Sequence, residues 1–129
     1  MKWQGEFQIT DWQEQTRESN VVLAGGKLTT AVVKHVYQGD IIGSGELQYS
    51  MAYDAEGSAH FSGIELIQME LGAQTHILVL SHKGKFSQGV AGSEFEVVAC
   101  EPTHSILGAH GTFTSGEGGT AKYCLEKRS

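Results

Sequence analysis

Along most of this chain apolar and polar residues alternate one by one, as in Leu47-Gln48-Tyr49-Ser50-Met51-Ala52-Tyr53. That period of two marks strands with one buried face. No window keeps an apolar stripe at helical spacing, and glycine recurs too often inside any candidate helix. Turn residues cut the alternation at nearly even intervals: Gln38-Gly39-Asp40, Asp54 to Gly57, Gly72-Ala73, Gln88-Gly89, Glu101-Pro102-Thr103 and Ser115 to Gly119. With a polar loop from Gln13 to Gly26, the cuts predict eight strands, at 2–12, 27–37, 41–53, 58–70, 74–86, 90–100, 105–114 and 120–127. Eight long antiparallel strands in meander order would leave two long edges if the sheet stayed open, and closure removes them. The expectation is an all-β, closed eight-stranded antiparallel barrel, forming one domain over residues 1–129.

Turn chemistry sets which residues face each other. A three-residue loop Ala55-Glu56-Gly57, with Gly57 left-handed, pairs Asp54 with Ser58 and so Met51 with Phe61, Tyr49 with Gly63 and Leu47 with Glu65. A type II′ turn at Gly72-Ala73 pairs Glu65 with Leu80 and Gly63 with His82. A two-residue turn at Gln88-Gly89 pairs His82 with Phe95, Leu80 with Val97 and Leu78 with Ala99. The three turns agree on one face, with Leu47, Tyr49, Met51, Tyr53, Phe61, Ile67, Met69, Leu78, Leu80, Phe86, Phe95 and Val97. The other face carries Glu46, Gln48, His60, Gln68, Glu70, Lys83, Glu94 and Glu96, so the first set points inward. Trp3, Phe7, Ile9, Phe113, Tyr123 and Leu125 are the matching inward residues of the terminal strands.

Composition narrows the function classes. Apolar residues make up 40% and charged residues 19%, which suits a folded core. No apolar run is long enough to span a membrane as a helix. A net charge of −6 argues against a nucleic-acid partner. The first residues, Met-Lys-Trp-Gln-Gly-Glu, lack an apolar export core, so a cytoplasmic protein with two free thiols, Cys100 and Cys124, both reading outward, is expected. His76 and His82 are six apart, as are His104 and His110, which on a strand separates the rings by roughly 20 Å. Neither pair chelates a metal by itself, and no metal or cofactor is called for.

Polar groups on the inward face are the candidate chemistry: Glu65, His76, His82, Tyr49 and Tyr53. Glu65 and His82 are diagonal neighbours on adjacent strands, within side-chain reach. A carboxylate buried alone is costly and must find a partner, a proton or a water. The pair reads either as a structural lock on the register or as a proton-handling pair, with Glu65 as base and His82 as orienter or acid. Strand glycines Gly63, Gly84, Gly92, Gly108 and Gly111 remove volume and favour room at the barrel ends.

Several runs resemble a known family as a set: Gly45 to Tyr53, Gly57 to Glu65, Val79 to Phe86 and Gly118 to Tyr123. They are similar to a bacterial family known only as a domain of unknown function (DUF 3224), itself similar in fold to plant allene oxide cyclase. The resemblance spans essentially the whole chain. It implies an eight-stranded barrel of the allene-oxide-cyclase type, often oligomeric, and no established activity. Tyr53, Phe61, Glu65 and His82 match the family's pattern best. Phe95 stands where the family has Trp, keeping the ring and losing its N–H.

An eight-stranded barrel is wide enough for packed side chains or for one small ligand. The first functional expectation is a homo-oligomeric barrel binding a small apolar or amphipathic ligand. Its pocket candidates are Tyr49, Met51, Tyr53, Phe61, Glu65, Leu80, His82 and Phe95. The alternatives are an isomerase or cyclase using Glu65 as the proton-transfer group, and a filled barrel serving as an oligomerisation or interaction module.

Overall fold

A computed structural model of the protein describes residues 1–16 and 25–127. Eight strands follow in order: β1 (Lys2–Thr16), β2 (Lys27–Gly39), β3 (Ile42–Tyr53), β4 (Ala59–Leu71), β5 (Gln74–Ser87), β6 (Val90–Glu101), β7 (His110–Ser115) and β8 (Thr120–Glu126). Each pairs antiparallel with its chain neighbour, and β8 closes the ring on β1. A single 3₁₀ turn, Glu117–Gly119, links β7 to β8. The eight-stranded meander barrel expected from the alternation is the fold observed.

The turns act as the sequence predicts. Gly57 is left-handed (φ 84°), and the Asp54 N–H donates to the Ser58 carbonyl at 2.9 Å. Gln88 and Gly89 both have positive φ (53° and 79°), which identifies a type I′ turn whose twist suits the flanking strands. The register follows: Leu47 opposite Glu65, Tyr49 opposite Gly63, Glu65 opposite Leu80, Gly63 opposite His82 and His82 opposite Phe95. Leu47, Ile67, Leu78, Leu80, Val97 and Leu125 are sealed inside.

Two bulges break the simple alternation. On β6 Val98 is the extra residue, because Leu80 pairs with Val97 while Val79 pairs with Ala99. Leu78 therefore faces Cys100 rather than Ala99, and the Cys100 side chain turns inward and is buried. The outward reading of Cys100 is corrected by that one inserted residue; both cysteines remain free thiols. On β1 the shift lies between Ile9 and Asp11, with Thr10 as the extra residue. Beyond it, Trp12 and Glu14 move to the inner face, opposite Val33 and Ala31. Residues 13–16, expected in a loop, continue β1, and the rest of that loop through Ala24 lies outside the described residues.

The two barrel ends differ. Strand β7 starts at His110 rather than at 105, because residues 102–109 form turns that fold across one end. Ile106 and Ala109 are fully buried there, and the Val97 N–H donates to the Ala109 carbonyl while the Gly108 N–H donates to that of Val97. His76 Nδ1 donates to the Pro102 carbonyl at 2.6 Å, and His104 packs edge-on against His76 and Trp3. This end is plugged. The strand glycines also differ from expectation: the space above Gly63, Gly84 and Gly111 is taken by Tyr49, Phe61 and Leu125, each the residue directly opposite. They admit large side chains instead of leaving voids. Gly108, expected in a strand, sits in the plugging turn.

A methyl group at Gly84 would run into the Gly92 carbonyl oxygen and lie 2.6 Å from Phe61 Cζ, whereas at Gly92 the nearest atom is 3.9 Å away. Gly84→Ala is expected to lower the free energy of unfolding by about 2 kcal/mol. Gly92→Ala should change it by less than about 0.5 kcal/mol. Urea denaturation of both variants checks this, and equal effects would mean that the Phe61–Gly84 contact carries no special packing.

Candidate functional site

The centre of the barrel holds a carboxylate. Glu65 on β4 is completely buried, and three side chains converge on it. Its Oε1 lies 2.7 Å from His82 Nε2, and its Oε2 lies 3.1 Å from His35 Nδ1. The Tyr37 hydroxyl donates between both oxygens, at 2.8 and 2.7 Å. An ionised carboxylate can only accept, so His35 carries a proton on Nδ1 and His82 one on Nε2. In a neutral ring the remaining nitrogen of each histidine is then a lone pair. His82 Nδ1 is sealed in protein without a partner, while His35 stacks on Phe7 with ring centroids 4.2 Å apart.

The local sequence explains why this packs. Period-two alternation puts Ala31, Val33, His35 and Tyr37 on the inner face of β2. Gly45 on β3 stands where any larger residue would collide with Glu65 Oε2, so its missing side chain makes the room. Burial by itself raises the carboxyl pKa, and the hydrogen bonds from His35 and His82 outweigh it, holding Glu65 down at about 2. The Tyr37 hydroxyl is pushed far up, first by burial and then by the Glu65 charge, and Tyr49 is raised for the same two reasons.

Above this cluster, at the open end, lies a cavity of about 210 Å³. Phe7, Ile9, Trp12, Phe61, Phe86 and Phe113 give it apolar walls, with Tyr49, Met51 and Tyr53 beside them, and His35 contributes a wall from the central cluster. At the rim, Glu14 accepts from Tyr53 (2.8 Å), Thr29 (2.7 Å) and Trp12 Nε1 (3.0 Å). Burial works against the Glu14 charge, but these three donors prevail and lower its pKa, while burial and Glu14 raise Tyr53 to about 12. Wider hollows exist on the outer surface, one of about 770 Å³, but outward side chains such as Val32, Gln48, Ile64 and Leu66 line it, without an enclosed wall.

The eight sequence-derived candidates therefore divide. Tyr49, Met51, Tyr53 and Phe61 line the cavity. Glu65 and His82 bond to each other as the register requires, but they lie in the cluster behind His35 and do not line it. Leu80 and Phe95 are core residues, with Phe95 stacked against His82 at 5.2 Å. Sequence reasoning misses His35, Tyr37 and Glu14. The first two are legible in the alternation of β2, where Lys34 and Gln38 must face out; Glu14 is hidden by the β1 bulge. No group of three metal-ligating side chains suited to an ion occurs among the described residues.

Replacing Glu65 by Gln puts an amide N–H₂ against three donors and removes the charge they share. Glu65→Gln is expected to cost on the order of 2–4 kcal/mol at pH 7. Because Glu65 is lowered in the fold from 4.5 to about 2, its stabilisation is complete above the unfolded value and is lost as pH falls through that interval. The gap between wild type and Glu65→Gln should therefore narrow from pH 4.5 towards pH 2. Urea denaturation across that range tests it, and a constant gap would show that shape rather than charge matters.

Comparison with known proteins adds a family and no activity. The family described as "Protein of unknown function (DUF3224)" matches residues 3–126. A crystal structure of a protein of unknown function from the DUF3224 family of Shewanella oneidensis MR-1 superposes with a TM-score of 0.68 at 23% identity, covering 97% of this chain and 94% of that one. No curated protein matches the chain. With nearly every strand inside the matched span, the chain belongs to the DUF3224 family.

Proposed function

We propose that this barrel binds one small, largely apolar, neutral molecule in the cavity at its open end. The observation that carries this reading is an aromatic-walled space with a few polar groups, His35 from the central cluster and Tyr49 among them. Ligand sites are concave, apolar and equipped with a few convergent polar atoms, and this one has that composition. Its 210 Å³ is smaller than most such sites. At roughly 30 Å³ per water it holds about seven waters, or a molecule of around ten non-hydrogen atoms. Tyr49 and His35 supply the polar handles, and Met51 and Phe61 the adaptable and rigid walls.

The expectation of a homo-oligomer has separate support. Ile64 and Leu66 on β4 and Ile77 on β5 face outward, each about half exposed, with Val32 on β2 beyond Gln48 of β3. A second copy of the chain is the occupant proposed for this face. Leu66→Lys should then lower the mass measured by light scattering, and an unchanged monomeric mass in both proteins would end that reading.

The ligand site is tested with 2-naphthol, a fluorescent molecule of suitable size with one hydroxyl. It should bind with a Kd on the order of 100 µM, as expected for a ligand of about eleven non-hydrogen atoms. Ala91 lines the cavity, so Ala91→Met should fill it and weaken binding at least about ten-fold while leaving the melting temperature within a few degrees. Equal binding by both proteins would place the probe elsewhere and sink the assignment.

A further inference from the structure

We infer that His35 is a proton acceptor facing the cavity, so that the site takes a proton from a small, mostly apolar carbon acid: a molecule with a C–H bond next to a carbonyl. This rests on the cavity being a ligand site. Glu65, the residue that the sequence nominates for proton transfer, is excluded from that role by geometry: both of its oxygens are occupied, it is sealed, and it does not line the cavity.

His35 has the opposite arrangement. Its Nδ1–H is committed to Glu65, which fixes the tautomer and leaves Nε2 as the basic atom. Nε2 has no hydrogen-bond partner among the described residues, yet the one sealed, unpartnered side-chain nitrogen or oxygen among them is His82 Nδ1. His35 Nε2 is therefore not closed off, and its ring lines the cavity. A buried carboxylate orienting an imidazole whose far nitrogen meets the substrate is the arrangement by which enzymes make histidine a general base. Tyr49 supplies a complement: it lines the same cavity, and its hydroxyl has no hydrogen-bond partner among the described residues.

The step balances without a co-reactant. Nε2 takes the proton from carbon, the C–H electron pair moves into the new carbon–carbon double bond, and the carbonyl pair moves onto oxygen. The Tyr49 hydroxyl donates to that enolate oxygen. Where the substrate carries a carbon–carbon double bond β,γ to the carbonyl, return of the proton from His35 to the γ carbon shifts that double bond into conjugation, completes an isomerisation and restores the base. The aromatic walls exclude water, which strengthens both interactions.

The test uses a probe that needs only a desolvated base, 5-nitrobenzisoxazole. The base removes its ring C–H proton, the electron pair forms the nitrile, and the N–O bond breaks with its pair on oxygen, releasing a coloured nitrophenolate. Wild type is expected to turn the probe over saturably, faster than the same concentration of free imidazole, with 2-naphthol as a competitor. His35→Gln keeps an N–H for Glu65 without a basic nitrogen, and should lower the rate roughly a hundred-fold. Should that variant fail to fold, Ala91→Met removes the cavity with His35 intact, and should lower the rate comparably. Displacement of 2-naphthol by the probe without turnover would overturn the base and leave the ligand site standing. Turnover that survives in folded His35→Gln would do the same. Absence of 2-naphthol binding would overturn the ligand site, and this inference with it.

Discussion

The structure depends on keeping one negative charge dry. An ion of that kind loses several kcal/mol of hydration on burial, and the loss is recovered only if good partners meet all its lone pairs. Here the partners of Glu65 come from different strands: His35 and Tyr37 from β2, His82 from β5, with space ceded by Gly45 on β3. Four consecutive strands, β2 to β5, must therefore hold a single register. A slip of one residue would send the carboxylate or a donor to the outer face, and the charge would be left unpaired. An all-apolar interior would resist such a slip less sharply, because Leu, Ile and Val exchange places at small cost.

The same requirement shapes what surrounds the cluster. Imidazoles held edge-on to a carboxylate leave flat faces, and aromatic rings cover them: Phe7 on His35, Phe95 on His82. Two of the rings inside the barrel stand over glycines of the facing strand, Tyr49 over Gly63 and Phe61 over Gly84. Inserted residues then distinguish the ends. Val98 turns Cys100 into the plugged end, and Thr10 turns Trp12 and Glu14 into the open one. The turns of residues 102–109 fill the first end with Ile106; the aromatic ring of side chains at the second leaves a space between them.

Much of this is legible in the sequence because hairpin turns and period-two alternation are local. Gly57, Gly72 and Gln88-Gly89 each set a register by themselves, and together they place Glu65 beside His82. What escapes is whatever depends on an inserted residue or on the closure of the ring. A bulge leaves no reliable mark in a single sequence: Val98 looks like any strand valine, so alternation alone puts Cys100 on the wrong face. Nothing in the sequence of β2 assigns His35 and Tyr37 to Glu65, which lies two strands away, although the alternation of β2 shows their face. A strand glycine signals removed volume, but whether such volume stays empty depends on the residue across the ladder, and here that residue is large.

The electrostatics of the cavity decide what kind of molecule it can accept. Two carboxylates, Glu65 behind the His35 wall and Glu14 at the rim, bracket the space, and each is already held by three side-chain donors. Both carry negative charge and repel an anion through a low-dielectric wall, where charges act strongly. The net charge of −6 works in the same direction at longer range. A carboxylate or phosphate ligand would thus lose its hydration and meet no lysine or arginine in the lining, while a neutral molecule meets aromatic rings, hydroxyl-bearing side chains and an imidazole. The buried charge that locks the barrel therefore also orients the histidine that walls the cavity.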